Sequence, residues 1–115
     1  LIHDAARPYI TNFTIQKLLH FHEGNFHTQY YLPIVNGLAQ MVDGNWEIPN
    51  RDNFIQLCSP QITQFELFEE LFLTKIETGE ECEILPIVSK MKKDFKLVQG
   101  SYSELRKITT IEDIY

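Results

Sequence analysis

The 115-residue chain has the composition of one globular domain, with 43% hydrophobic and 23% charged residues. Its 10 Lys and Arg stand against 16 Asp and Glu, and the net charge of −6 supplies no overall positive field to hold a nucleic acid or an anionic membrane. Its longest apolar stretch, Tyr30 to Val35, is far below the roughly 18 residues needed to cross a bilayer. We therefore expect a soluble, cytoplasmic protein whose phosphate contacts come from a few placed cations.

Helix and strand signals alternate in the first half of the chain. Thr11-Asn12 is typical of a helix N-cap, and the apolar residues that follow have helical spacing up to Gly24. The aromatic and β-branched stretch from Tyr30 to Val35 predicts a buried strand. Asp43-Gly44, between short apolar runs, predicts a hairpin within residues 36–50.

The second half continues the alternation. It predicts a short strand from Phe54 that ends at Ser59-Pro60, a helix from Phe65 to Gly79, a shorter helix from Ile84 to Met91 broken near Pro86, a strand from Phe95 to Val98, and a final helix from Ile111 capped by Thr109-Thr110. Such alternation indicates an α/β fold with a largely parallel sheet. The two cysteines, Cys58 and Cys82, form no CxxC or Cys/His cluster, which indicates free thiols in a reducing compartment.

The start of the chain carries the first candidate site. Leu1-Ile2-His3 has the pattern of a buried strand end without a leader or an initiator methionine, so we expect sequence upstream. Ligands of open α/β sheets bind at the carboxyl ends of strands. At this position Asp4 could bind a divalent metal or a sugar hydroxyl. Arg7 could bind a phosphate or fix the loop through backbone carbonyls. An Asp–Arg pair that only staples the loop is an equal alternative.

Other polar groups are open to two interpretations. Ser59-Pro60-Gln61 offers a hydroxyl and an amide at a strand end, although a turn is the simpler interpretation. Arg106 and Lys107 stand beside hydroxyls and a helix start, which suits an anion, and a solvated charged turn explains them equally well. Three histidines lack a carboxylate at ligand spacing, so helix-face and loop positions are expected rather than a metal site: His20, His22 and His27.

Four segments follow one another in a recognisable order: His3-Asp4-Ala5-Ala6-Arg7-Pro8, Ile48-Pro49-Asn50-Arg51, Ser59-Pro60-Gln61 with Phe65 after it, and Gly100-Ser101-Tyr102-Ser103 through Lys107-Ile108-Thr109-Thr110 to Asp113. Together they resemble the C-terminal half of the sugar-alcohol phosphate cytidylyltransferases, which comprise a methylerythritol-phosphate enzyme and a ribitol-5-phosphate relative. The second and fourth segments look more like the ribitol-5-phosphate branch.

The resemblance implies a fold, an assembly and a reaction. The fold would be Rossmann-like with a mostly parallel sheet, residues 1–115 being the C-terminal part of a single domain. A protruding β-arm, at about residues 36–51, would exchange contacts in a homodimer. The reaction would transfer CMP from CTP to ribitol 5-phosphate or 2-C-methyl-D-erythritol 4-phosphate with Mg²⁺, giving a CDP-alcohol and pyrophosphate.

The resemblance also implies roles for individual residues. Asp4 would lie near the cytidine ribose and the metal, with Arg7 supporting the same loop. Arg51 would hold the acceptor's phosphate from the arm, and Lys107 would neutralise charge on the α-phosphate. Such phosphoryl transfer depends on alignment and charge compensation, since the acceptor phosphate is already an anionic nucleophile.

The chain departs from the family pattern at several places. Ser59 replaces a threonine of a Thr-Pro-Gln motif, Asn36-Gly37 replaces Asp-Thr, and Cys82-Glu83 or Leu85-Pro86 replaces Thr-Asp. One residue is inserted before the last lysine, so Arg106 competes with Lys107 for the phosphate role. The family's Gly-rich loop is not in these residues, so we expect the chain alone to be inactive. The alternative is a diverged, non-catalytic binding or dimerisation module.

Overall fold

The computed structural model describes residues 1–78 and 83–114. Within them the helices are α1 (Asn12–His22), α2 (Phe65–Thr78), α3 (Ile84–Lys90) and α4 (Tyr102–Leu105), and the strands are β1 (His27–Pro33), β2 (Gln40–Val42), β3 (Asn45–Glu47), β4 (Ile55–Thr63) and β5 (Phe95–Gln99). Short 3-10 helices lie at Arg51–Asn53 and Ile111–Ile114. The predicted helix end at Gly79 and the predicted free thiol of Cys82 lie outside the described residues. None of the described helices has the length and apolar character needed to span a membrane.

The central sheet is mixed, which corrects the prediction of a mostly parallel one. Its strand order is β4-β1-β5, and β1 pairs antiparallel with β4 and parallel with β5. The connections explain the difference, because the chain returns from β1 to β4 through a hairpin segment, whereas it reaches β5 through α2 and α3. A helical crossover is what a parallel pair requires. The predicted strand end at Leu1-Ile2-His3 is a single antiparallel bridge between Ile2 and Gln61.

Helix α1 covers the sheet, and its start is the one predicted from sequence. Thr11 is the N-cap, and its side chain and that of Thr14 form a reciprocal capping box. The buried hydroxyl of Tyr30 donates a 2.7 Å hydrogen bond to the carbonyl oxygen of Thr14, which ties β1 to this helix. The main core joins α1, the three sheet strands and α4: Leu18, Tyr30, Leu32, Cys58, Ile62, Val98 and Leu105.

The fourth strand is longer than predicted and does not end at Ser59-Pro60. It continues to Thr63, but its register with β1 shifts there, since Gln29 pairs with Gln61 and Tyr30 pairs with Cys58. Ser59 and Pro60 therefore form a bulge, and the peptide bond between them is cis. A bulge tolerates proline because its residues need no ladder hydrogen bond, and it re-aims the side chain beside it. The predicted turn is thus a bulge within a strand.

Two smaller helix predictions also need correction. Pro86 does not break α3, because it is the third residue of the helix. A backbone N–H at that position would have no partner within the helix, so proline, which lacks this group, removes no helical hydrogen bond there. The final helix is 3-10 in form. The predicted cap would have threonine side chains accept hydrogen bonds from the helix backbone. Instead, the backbone N–H groups of Thr109 and Thr110 donate to the carboxylate of Asp113, at 2.7 and 2.8 Å.

The predicted hairpin is present as β2 and β3. Asp43 and Gly44 have φ angles of 50° and 81°, as a tight two-residue turn of mirror-image type requires. Large apolar side chains of this segment are exposed to solvent: Met41, Trp46 and Ile48, at 52%, 69% and 79%. The hairpin thus carries apolar surface that the described residues leave uncovered.

Candidate functional site

Three segments that are distant in the sequence meet beside the β4 bulge. The backbone N–H of Asp4 donates to the hydroxyl of Ser59 at 2.9 Å, which attaches the His3–Pro8 segment to the bulge. The N–H of Ile108 donates to the carbonyl oxygen of Ala6 at 2.7 Å, which attaches the segment after α4 to the same loop. These backbone contacts bring the predicted residues of the first, third and fourth motifs together.

Asp4 and Lys107 form an ion pair at the centre of this arrangement. The Lys107 Nζ lies 3.2 Å from the Asp4 Oδ2, and the side chains are 44% and 36% exposed. The other carboxylate oxygen, Oδ1, accepts a 3.0 Å hydrogen bond from the N–H of Ala6 in an Asx turn. That N–H donor and the hydrogen bond from Lys107 lower the pKa of Asp4 below its usual value. Asp4 is therefore a carboxylate held beside a cation at neutral pH.

A cleft of about 580 Å³ opens in front of this pair. Four residues assigned to the site from sequence line it: Asp4, Arg7, Ser59 and Lys107. Its wall also includes Cys58, whose thiol has a pKa raised by burial and is therefore neutral. A cleft with a paired cation, a carboxylate and a hydroxyl is suited to a phosphorylated, hydroxyl-bearing ligand.

Arg7 fixes the loop from within. It is only 7% exposed, and its Nη1 donates to the carbonyl oxygen of Leu105, two residues before Lys107. Its Nε is buried and has no hydrogen-bond partner among the described residues. Of the alternatives left open by the sequence, this geometry favours a loop support through backbone carbonyls.

Two of the residues assigned from sequence lie elsewhere. The Arg106 guanidinium stacks on the ring of Tyr9, with 3.9 Å between the Cζ atom and the ring centroid. Arg106 is therefore engaged with Tyr9, whereas Lys107 pairs with Asp4. Arg51 lies in the 3-10 helix after the hairpin, and its Nη1 donates to the carbonyl oxygen of Val35 at 2.8 Å. Neither arginine lines the cleft around Asp4 and Lys107.

The donor set of the cleft limits how a metal could be held. No group of three or more His, Cys, Asp or Glu is placed to hold a metal ion anywhere in the residues that the structure describes. Mg²⁺ commonly binds through one or two carboxylates plus substrate phosphates and water. The carboxylate of Asp4 fits the role of such a single protein ligand. Among the histidines, His22 contacts Thr28 and His27 contacts Gln29, each at 2.9 Å.

Sequence reasoning missed two polar residues of the cleft. Gln29 lies on the buried strand β1, and Glu83 immediately precedes α3. A glutamine in an otherwise buried strand is a detectable signal, because buried amides need partners. Glu83 was visible only as one of two possible replacements for a family Thr-Asp pair.

Known proteins resemble the chain over its whole length. The sequence profile of the family 2-C-methyl-D-erythritol 4-phosphate cytidylyltransferase matches residues 1–115. Proteins of that name from Fusobacterium nucleatum subsp. nucleatum and Alkaliphilus oremlandii are 28% and 29% identical to it, over 99% of this chain but only 51% and 49% of their own lengths.

Solved structures show the same fold. The crystal structure of 2-C-methyl-D-erythritol 4-phosphate cytidylyltransferase from Thermus thermophilus superimposes with a TM-score of 0.80 at 22% identity, covering 99% of this chain and 57% of that one. The 4-diphosphocytidyl-2C-methyl-D-erythritol synthase from Anaerococcus prevotii also has a TM-score of 0.80 at 22% identity, with 97% and 53% covered. The chain therefore belongs to the 2-C-methyl-D-erythritol 4-phosphate cytidylyltransferase family and spans about half the length of the curated relatives it matches.

Proposed function

We propose that these residues form the acceptor-binding part of a cytidylyltransferase that transfers CMP from CTP to 2-C-methyl-D-erythritol 4-phosphate. The observation that carries the proposal is the Lys107–Asp4 pair, 3.2 Å apart at the mouth of a cleft that Arg7 and Ser59 also line. Membership of the family supplies the reaction class. The names of its relatives favour the methylerythritol acceptor over ribitol 5-phosphate.

In the proposed reaction an oxygen of the acceptor phosphate attacks the α-phosphorus of CTP. A new phosphorus–oxygen bond forms, the bond from the α-phosphorus to the bridging oxygen breaks, and pyrophosphate leaves with that electron pair. Negative charge builds on the α-phosphoryl oxygens, and the ammonium of Lys107 stabilises it. We assign this role to Lys107 rather than Arg106, because the guanidinium of Arg106 is engaged on Tyr9.

The other residues bind and orient. Asp4 holds Lys107 in place and is the residue that would carry Mg²⁺ together with substrate phosphates, where the metal would neutralise phosphate charge. Arg7 sets the path of the Leu105–Lys107 backbone through its hydrogen bond to Leu105. Arg51 follows the hairpin and does not line this cleft. It would contact an acceptor phosphate only across a dimer interface, in the cleft of a second subunit.

The test is a pyrophosphate-release assay of the full-length protein that contains these residues, with CTP, Mg²⁺ and each candidate acceptor. We expect release with 2-C-methyl-D-erythritol 4-phosphate and little with ribitol 5-phosphate. The reverse preference would move the protein to the ribitol branch. No release with either acceptor, from a folded protein, would favour the non-catalytic module.

We also infer that the 115 residues alone neither bind CTP tightly nor turn it over. The sequence holds no Gly-rich loop, and backbone N–H groups in such loops are what cradle nucleotide phosphates. Calorimetry with CTP and Mg²⁺ tests this directly. Micromolar binding by the 115-residue chain would contradict the inference and indicate a phosphate site within it.

The exposed hairpin supports a homodimer. A two-stranded hairpin is marginal in water, yet this one exposes Met41, Trp46 and Ile48. We propose that residues 36–51 of one copy contact a second copy, which would bury these side chains. Light scattering should show a dimer that Trp46→Lys weakens, with Leu19→Lys, at an exposed position on α1, as the matched control. A monomer at micromolar concentration with a solvent-exposed Trp46 would refute the dimer.

A further inference from the structure

The hydrogen bonds of His3 identify which of its ring nitrogens carries the proton. Its Nε2 lies 2.8 Å from the carbonyl oxygen of Arg7. A carbonyl oxygen only accepts hydrogen bonds, so Nε2 must be the donor and must hold a proton. In a neutral imidazole the other nitrogen, Nδ1, is then a bare acceptor.

That assignment determines the direction of the next hydrogen bond. Nδ1 lies 3.1 Å from the Ser59 hydroxyl oxygen, and because Nδ1 of this neutral tautomer has no proton, the hydroxyl must donate to it. The same oxygen accepts the 2.9 Å hydrogen bond from the N–H of Asp4. A hydroxyl has one proton and two lone pairs, so one lone pair is all that Ser59 has left. Ser59 lines the cleft beside Asp4 and Lys107.

We propose that His3 is a positioning residue that makes Ser59 an acceptor, so that Ser59 selects a hydroxyl group of the substrate and not its phosphate. A phosphate oxygen is itself an acceptor at neutral pH, and two facing acceptors repel. A polyol hydroxyl is a donor, and it can donate a hydrogen bond to the remaining lone pair of the Ser59 oxygen. The phosphate end of the ligand then lies toward Lys107, whose cation serves the α-phosphate that this end attacks. This assignment deepens the proposed function and rests on it for the identity of the ligand.

The first test needs no substitution and no activity. Nitrogen-15 NMR of the imidazole rings, recorded at mildly alkaline pH, distinguishes protonated from bare ring nitrogens. We expect His3 to show a protonated Nε2 and an unprotonated Nδ1, with His3→Gln assigning the resonances by their loss. A proton on Nδ1 instead would overturn the proposal, because Ser59 would then be free to donate into the cleft.

The second test separates the two ends of the ligand. Ser59→Ala should raise KM for the polyol phosphate about 2- to 10-fold, the range of one ordinary hydrogen bond, while inhibition by inorganic phosphate stays unchanged. His3→Ala should strengthen phosphate inhibition, because the freed Ser59 hydroxyl can then donate. Weaker phosphate inhibition in Ser59→Ala would place Ser59 at the phosphate and refute the proposal. A protein without activity would refute the proposed function alone, and the NMR result would still decide the His3 assignment.

Discussion

Lys107→Ala should mainly lower activity and Arg106→Ala should mainly lower stability, although the two residues are adjacent. The ion pair of Lys107 with Asp4 joins side chains that are 44% and 36% exposed, and such solvent-screened pairs stabilise a protein by at most about 1 kcal/mol. Lys107→Ala should therefore lower the free energy of unfolding only slightly. If Lys107 stabilises the charge that develops at the α-phosphate, its loss should cost about 2–4 kcal/mol in the transition state, about 30- to 1,000-fold in kcat.

The matched variant, Arg106→Ala, removes a cation stacked 3.9 Å above the ring centroid of Tyr9. Contacts of this kind contribute about 0.5–2 kcal/mol, with the higher values where the pair is shielded from water. Arg106 is half-buried, so we expect a measurable loss of stability. Its kcat should stay close to that of the unaltered protein, because the guanidinium does not line the cleft.

Steady-state pyrophosphate release and urea unfolding of both variants, in the full-length protein, measure the two quantities separately. A large drop in kcat for Arg106→Ala with a normal kcat for Lys107→Ala would refute the assignment. It would mean that the segment after α4 shifts by one residue when substrate is bound. A loss of stability well above about 1 kcal/mol for Lys107→Ala, or no loss at all for Arg106→Ala, would contradict the account of the two contacts.

Three further predictions concern the fold. Gly100→Ala should destabilise by about 1–3 kcal/mol in urea unfolding, because a Cβ there would collide with the Leu105 side chain, whereas Gly37→Ala, which meets open space, should be nearly neutral. Burial lowers the pKa of His27, so protonation favours the unfolded chain. The free energy of unfolding should be highest above the unfolded-state pKa of about 6.5 and should fall as the pH drops from there toward the folded-state pKa. A free energy of unfolding that does not change between about pH 7 and 5 would refute this. Burial also raises the pKa of Tyr30 to about 12, so its phenol remains a donor, and Tyr30→Phe should cost about 1 kcal/mol in thermal unfolding.

Local signals in the sequence determined much of the secondary structure. The N-cap at Thr11, the helix from Phe65 and the hairpin turn at Asp43-Gly44 all lie where the sequence predicts them. Each depends on residues a few positions apart, whose capping hydrogen bonds and turn angles act within one segment. The family was also readable, because its motifs survive in order along the chain.

The direction of the sheet strands and the arrangement of the site were decided only by tertiary structure. The antiparallel pairing of β4 with β1 depends on the path of the intervening chain, which no local pattern encodes. Sequence motifs alone did not decide whether Arg106 or Lys107 has the phosphate role. In the structure the hydrogen bond from Arg7 to Leu105 fixes the backbone just before them, Lys107 pairs with Asp4, and Arg106 stacks on Tyr9. Those contacts join residues about a hundred positions apart, and they form only when the sheet and core bring the two ends of the chain together.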